Sequence, residues 1–574
     1  MDAVLIMIVC FIAFFVVYKL YGKFVATKIY KINDKNVAPS VEFEDGVDYV
    51  PTRKEIIFGH HFTSIAGTGP IVGPAIAIIW GWVPALIWIL VGTLVMGAVH
   101  DFGSLIISMR NQGKSISEIT GKYINLRTRS AFFAIVFLEL WIVIAIFGVV
   151  MAVVFAMYPQ SVFPVWCEIP IAVWLGWMIY KRGGSVAVGS IIAVVLMYIT
   201  IIIGTFAPLV MPAVGGMPAV GVWVIILLIY AFVASMLPIT TLLQPRDFIN
   251  SHELMIAMAL LFLGVIVSAI RGSFSVVAPA VNMTPAGAPP MWPFLFVTIA
   301  CGAISGFHSL VSSGTSAKQV RRESDSQFVG YGGMVMEGVL AVFVVIAVAA
   351  GIGMAYTTKD GTVLTGVQAW TVHYSSWAAA AGLGSKVAAF VVGSANMIAS
   401  LGIPKSIAIV IMGVFVVSFA GTTLDTATRI QRYVISELGG KVKVFTNRYF
   451  STAVAVVTAG LLAFSVGASG KGALILWPLF GAVNQTLAAL ALLLITNWLK
   501  GKGGLKYLVS GLPCIFMVIM TTWALIFNQA NFIGAGNWLL TIVNLVILAI
   551  DIWIIVEGIA SFIRTKGPAP AKAS

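Results

Sequence analysis

Phe58-Gly-His-His-Phe-Thr-Ser-Ile-Ala-Gly-Thr-Gly-Pro-Ile-Val-Gly-Pro-Ala75 is the stretch whose reading decides the fold. It is apolar enough to lie in a bilayer, yet Gly67, Gly69, Pro70 and Pro74 interrupt its middle. Proline removes a backbone donor and clashes with the preceding turn, while glycine eases the chain out of helical geometry. Free peptide groups in hydrocarbon cost several kcal/mol each, so they persist only where they line a cavity or bind something. A broken membrane helix that opens on a histidine pair therefore predicts a solute site in a secondary transporter.

Working outward, composition agrees. Hydrophobic residues make up 60% of the 574, charged residues 10%, and mean hydropathy is +1.02. Most of the length belongs in lipid. Cys10, Cys167, Cys301 and Cys514 form no CxxC pair and read as small buried hydrophobes. The first twenty residues lack a basic start and a small-residue cleavage site, which predicts a retained helix.

Windows of about twenty apolar residues predict an all-α polytopic protein with about fifteen crossings. They centre near Ile12, Pro70, Leu94, Ile144, Leu175, Val195, Leu228, Phe262, Ala303, Phe343, Phe415, Val457, Leu487, Val518 and Val546. With the N-terminus outside and the C-terminus cytoplasmic, inner loops hold 29 Lys and Arg; the outer ones hold five, Arg271, Lys359, Lys386, Lys405 and Lys471. That is the positive-inside pattern. The net charge of +13 is thus topology and implies no nucleic-acid partner. Residues 386–401 are apolar but short and read as an outer-face or re-entrant helix.

The seventh crossing carries Ser235-Met-Leu-Pro-Ile-Thr-Thr-Leu-Leu-Gln-Pro-Arg-Asp247, with Pro238 and Pro245 in its inner half. Two broken helices of opposite direction predict an inverted five-plus-five repeat of crossings 2–6 and 7–11. The first crossing is then an N-terminal addition and the last four a C-terminal one.

Phe58-Gly-His-His-Phe62 with Gly69-Pro-Ile-Val-Gly-Pro74, then Gly97-Ala-Val-His-Asp-Phe102, resembles the start of the carbon starvation protein A (CstA) family. The resemblance continues through Gln244-Pro-Arg-Asp247, Gly306-Phe-His-Ser-Leu-Val-Ser-Ser-Gly-Thr315, Phe419-Ala-Gly-Thr-Thr-Leu-Asp-Thr-Ala-Thr-Arg429 and Leu476-Trp-Pro-Leu-Phe-Gly-Ala-Val-Asn-Gln485. It implies an inner-membrane uptake system for peptides or pyruvate, proton-coupled, used when carbon is scarce. It also implies kinship with the amino acid–polyamine–organocation superfamily and its LeuT-like core. Residues 1–380 would form the family's N-terminal transporter domain, with the core from about residue 55. Residues 381–500 would hold the rest of the core and the family's C-terminal helices, and 501–574 would add two accessory helices and a short basic tail. No oligomeric state is implied.

Intramembrane ionisable residues mark candidate proton carriers. Asp101, beside His100 in the third crossing, suits reversible protonation, although neighbours on a helix diverge by about 100° and need not touch. Glu139 and Glu337 are further candidates. His60, His61, Gly67, Thr68, Gly69, Pro70 and His308 are expected at the substrate, with a half-helix N-terminus favouring its carboxylate. Of the histidine pair, only one is expected to face the cavity. Ser312, Ser313 and Thr315 form a candidate cation site by the resemblance. The coupling ion is then H+, with Na+ the alternative. Arg246 and Asp247 read as a gate or loop anchor at the inner mouth, and Asp425–Arg429 as an i,i+4 ion pair. No metal or cofactor is expected, since no HExxH or Cys/His set exists.

Rival classes find little support. Gly470-Lys471-Gly472 lacks the rest of a Walker A, and no histidine follows His373 to serve Gly467-Ala-Ser-Gly470 as a protease elbow. Six histidines would permit haem or quinone ligation, but their broken-helix setting does not favour it. A nutrient sensor or channel on a transporter scaffold is the alternative function.

Overall fold

The computed structural model describes residues 2–565 apart from Ser273, Lys359 and Lys441. The basic tail beyond Thr565, and Lys359 among the outer basic residues, lie outside the described residues. Twelve described helices are long and apolar enough to cross a membrane, or thirteen with the bent pair Lys54–Ala66 and Gly69–Trp80. The other two expected crossings fall on shorter pieces. Val457 lies in the 16-residue helix Arg448–Ala463, and Ala303 lies between Met291–Thr298 and Gly306–Gly314. Residues 383–399 form a 17-residue buried helix, Leu383–Ala399, in place of a full span.

Burial separates core from periphery. The most apolar windows of Lys405–Gly439 and Gly472–Lys500 are 89% buried, that of Glu323–Met354 83% and that of Leu126–Met157 78%. Those of Ala3–Tyr30, Pro159–Lys181 and Val186–Phe206 are only 22%, 33% and 28% buried, so these helices lie at the periphery. Gly472–Lys500, expected among the C-terminal additions, instead packs on Gly306–Gly314 and belongs to the core.

The first break forms as its residues require. Gly67 ends Lys54–Ala66 at φ +49°, a conformation that penalises any side chain, and the chain resumes as Gly69–Ala77 after a 41° bend. The second break is not in the seventh crossing. Ala219–Met236 ends where Leu237, forced extended by Pro238, leaves the helix at ψ 151°. Pro245 sits in the first turn of Leu243–Ile270, where its missing N–H leaves no gap. The ninth crossing is the one that breaks, unwinding from Ile299 to Ser305.

These two broken helices run antiparallel. Gly69–Ala77 packs on Met291–Thr298, and Lys54–Ala66 packs on Gly306–Gly314, so first halves meet second halves.

Candidate functional site

The breaks cross at contact distance. A Cβ on Gly69 would overlap the Cys301 side chain, and one on Gly302, itself at φ +90°, would crowd Ala341 at 2.9 Å and touch Pro70 at 3.5 Å. Unwound backbone must find partners, and side chains of neighbouring helices supply them. Thr93 donates to the Gly302 carbonyl at 2.8 Å, Trp88 to that of Ile299 at 3.0 Å, and the Gly302 N–H donates to Glu337 at 2.8 Å. Asn484 accepts from the Phe307 N–H at 2.9 Å.

Glu337 also begins a chain of fully buried ionisable groups. Its other oxygen lies 3.3 Å from His308 Nε2, and His308 Nδ1 pairs with Asp101 at 2.9 Å. Asp101 in turn holds His100 Nδ1 at 2.7 Å, so the adjacent pair touches after all. The side chain folds back along the helix and closes the angular gap. Donor atoms of Cys301, His308 and Glu337 all lie within 4.8 Å of one another, close enough to hold a metal ion. Glu337 and Asp101 face opposite ring nitrogens of His308, so the group reads as an imidazole held between two carboxyl groups.

The histidine pair behaves differently from expectation. His60 joins Asp247 at 2.5 Å and Thr315 at 3.0 Å, while His61 joins Ser316 at 2.8 Å. Both are fully buried and tie the second crossing to the end of the ninth and, through Asp247, to the eighth. Ser313 hydroxyl donates to the Ser309 carbonyl and accepts from the Ile116 N–H, and Ser312 hydroxyl has no hydrogen-bond partner among the described residues. Thr315 hydroxyl is shared between His60 and Gln319.

Arg246 and Asp247, expected at the inner mouth of the seventh crossing, are buried near the start of the eighth, Leu243–Ile270. Arg246 pairs with Asp425 at 2.5 Å and bonds Tyr230 and Thr422, with Glu168 at 3.6 Å. Arg429 pairs instead with Asp48 at 2.9 Å, which Arg432 and Tyr433 also reach at 3.3 and 2.6 Å. The expected Asp425–Arg429 pair is therefore replaced by two long-range ones, each giving a buried charge a partner. Around Asp48, burial works against ionisation. Arg429, Arg432, Lys318 and the Tyr433 bond outweigh it and hold the carboxyl below its ordinary range. Glu139 is fully buried, and neither of its oxygens has a hydrogen-bond partner among the described residues.

Beside the crossing lies a cavity of 530 Å³. Thr68, Gly69 and Cys301 line it from the breaks, Lys386 and Trp477 from one side, and Asn528 and Asn531 from another. Of the expected substrate residues it thus includes Thr68 and Gly69, but not His60, His61, Gly67, Pro70 or His308. Cys301, read as a buried hydrophobe, belongs to the site. So do Lys386, seen in the sequence only as one outer charge, and Trp477, quoted only as part of a family block.

A model of the family described as carbon starvation protein CstA matches residues 2–524. A peptide transporter CstA from Campylobacter jejuni is 32% identical, covering 91% of this chain and 80% of its own. The pyruvate/proton symporter BtsT from Escherichia coli is 32% identical, over 91% and 81%. A peptide transporter CstA from Bacillus subtilis is 32% identical, over 91% and 90%. Among solved structures, MhsT in complex with L-phenylalanine is similar at a TM-score of 0.46 and 10% identity, covering 90% of this chain and 99% of that one.

Proposed function

We propose, since this chain belongs to the carbon starvation protein CstA family, that it takes up small carboxylate-bearing nutrients, peptides or pyruvate, across the inner membrane by proton-coupled alternating access. It is a transporter, not an enzyme. One observation carries the coupling: Glu337 is both the acceptor for the Gly302 N–H inside the second break and the ionic partner of His308. A proton arriving on the Asp101–His308–Glu337 chain therefore acts on the segment whose residue Cys301 lines the cavity. Substrate at the cavity and charge at the chain then bias the same element, which is what coupling requires.

The cavity lies among Pro289, Trp377 and Lys386, at the end the positive-inside pattern assigns to the outside. At the opposite end Arg429, Arg432 and Tyr433 of Lys405–Gly439 hold the loop that carries Asp48. That pairing supports an outward-open form with its inner path latched. A LeuT-like inverted repeat fits if the two peripheral crossings Pro159–Lys181 and Val186–Phe206 are an insertion. Its units then open at the two breaks, and their third helices, Leu126–Met157 and Lys405–Gly439, pack together.

The test is reconstitution into liposomes and uptake of labelled pyruvate and of a dipeptide, with and without a pH gradient. Accumulation driven by the gradient supports the reading. Equilibration without accumulation would favour a channel, and binding without uptake a sensor.

A further inference from the structure

Lys386 stands in the first turn of Leu383–Ala399, only 2% exposed, with its side chain lining the cavity. Buried cations need a counter-charge, and Arg246, Arg429 and Arg432 each have a carboxylate. Lys386 has none within ion-pair reach among the described residues. Its ammonium lies 4.6 Å from the centroid of the Trp477 ring, which eases the charge from one side and leaves N–H donors without an anion. None of the cavity's lining residues is Asp or Glu. An ammonium group entering there would meet a like charge and no partner. A carboxylate would meet Lys386 on one side and, across the cavity, the break residues Thr68 and Gly69 that begin the nine-residue half-helix Gly69–Ala77.

We propose that Lys386 is the carboxylate anchor of the transport cavity, and that this site takes monocarboxylates lacking an ammonium group in preference to zwitterionic peptides. The proposal rests on reading the 530 Å³ cavity as the transport site.

The experiment measures binding of labelled pyruvate to the full chain in nanodiscs, for wild type, Lys386→Met and Lys386→Arg. Methionine keeps the apolar stem and drops the charge. Lys386→Met is expected to weaken binding tenfold or more while the protein stays as heat-stable as wild type, and Lys386→Arg to stay within a few-fold. Unlabelled dipeptide should compete poorly against labelled pyruvate, and methyl pyruvate, which has no carboxylate, should not compete. A second measurement uses wild type alone: pyruvate should protect Lys386 from an amine-reactive reagent, read by mass spectrometry. Unchanged binding in Lys386→Met, or labelling of Lys386 indifferent to pyruvate, overturns the anchor while transport by this cavity stands. Tighter competition by dipeptide than by pyruvate overturns the stated preference. Wild-type protein that neither binds nor carries any carboxylate overturns the underlying functional reading as well.

Discussion

Gly69 and Cys301 interlock where the two broken helices cross: the space a Cβ on Gly69 would occupy is filled by the Cys301 side chain. Sequence alone suggests that alanine at Gly69 is milder than valine, because alanine restricts the backbone less. The contact changes that expectation. Gly69→Ala should already impair uptake, with a stability loss of about 1–3 kcal/mol, the usual range for overpacking. Cys301→Gly in the same molecule should restore part of both, measured by uptake and thermal unfolding. Normal uptake by Gly69→Ala alone would mean the crossing is loosely packed.

A second expectation concerns the buried chain. Asp101→Asn keeps shape but cannot titrate, so it should abolish gradient-driven accumulation while exchange of substrate for substrate continues. Glu337→Gln retains an acceptor for the Gly302 N–H and should fold, with the same loss of accumulation. Wild-type accumulation by both would remove the chain from the mechanism.

The ion pairs make a quantitative statement. A double-mutant cycle on Arg246 and Asp425, 2.5 Å apart, should give a coupling within the about 0.5–3 kcal/mol found for interacting residues. The cycle on Asp425 and Arg429, which the i,i+4 spacing alone would favour, should give close to none. Thermal unfolding in detergent reads both, and the opposite ranking would restore the local pair.

Acid should weaken the inner latch by protonating Asp48. A carboxyl held below its ordinary value, as Asp48 is, lends its full stabilisation above about pH 3.9 and loses it as pH falls through its lower folded value. Between pH 5 and 8 Asp48 stays ionised, so Asp48→Asn should leave the shape of the pH profile of uptake unchanged in that range. Hydrogen exchange over residues 43–50 should nevertheless quicken in that variant. A shifted pH profile would place Asp48 in the coupling path.

What the sequence disclosed follows from which signals are local. The first break is legible because glycines and prolines cluster within a few residues, and the candidate proton carriers stand out as charges in apolar runs. The second break, Ile299-Ala-Cys-Gly-Ala-Ile-Ser305, has one glycine and no proline, so nothing local distinguishes it from an ordinary small-residue packing stripe. Pro238 and Pro245 drew attention to the wrong crossing, since a proline marks a helix end as readily as a break. Partner choice was out of reach: Arg246 meets Asp425 across 179 residues, and Arg429 meets Asp48 across 381. Lys386 looked like one more outer charge because its burial depends on Trp477, ninety-odd residues away.

Coupling is the central claim, and proton movement tests it most directly. Liposomes holding the protein and a pH-sensitive dye, with equal pH on both sides and voltage clamped, receive an inward pyruvate gradient. The account predicts acidification of the lumen that depends on pyruvate, is present in wild type and is absent in Asp101→Asn. Entry of labelled pyruvate into wild-type liposomes with no change in the dye would contradict it.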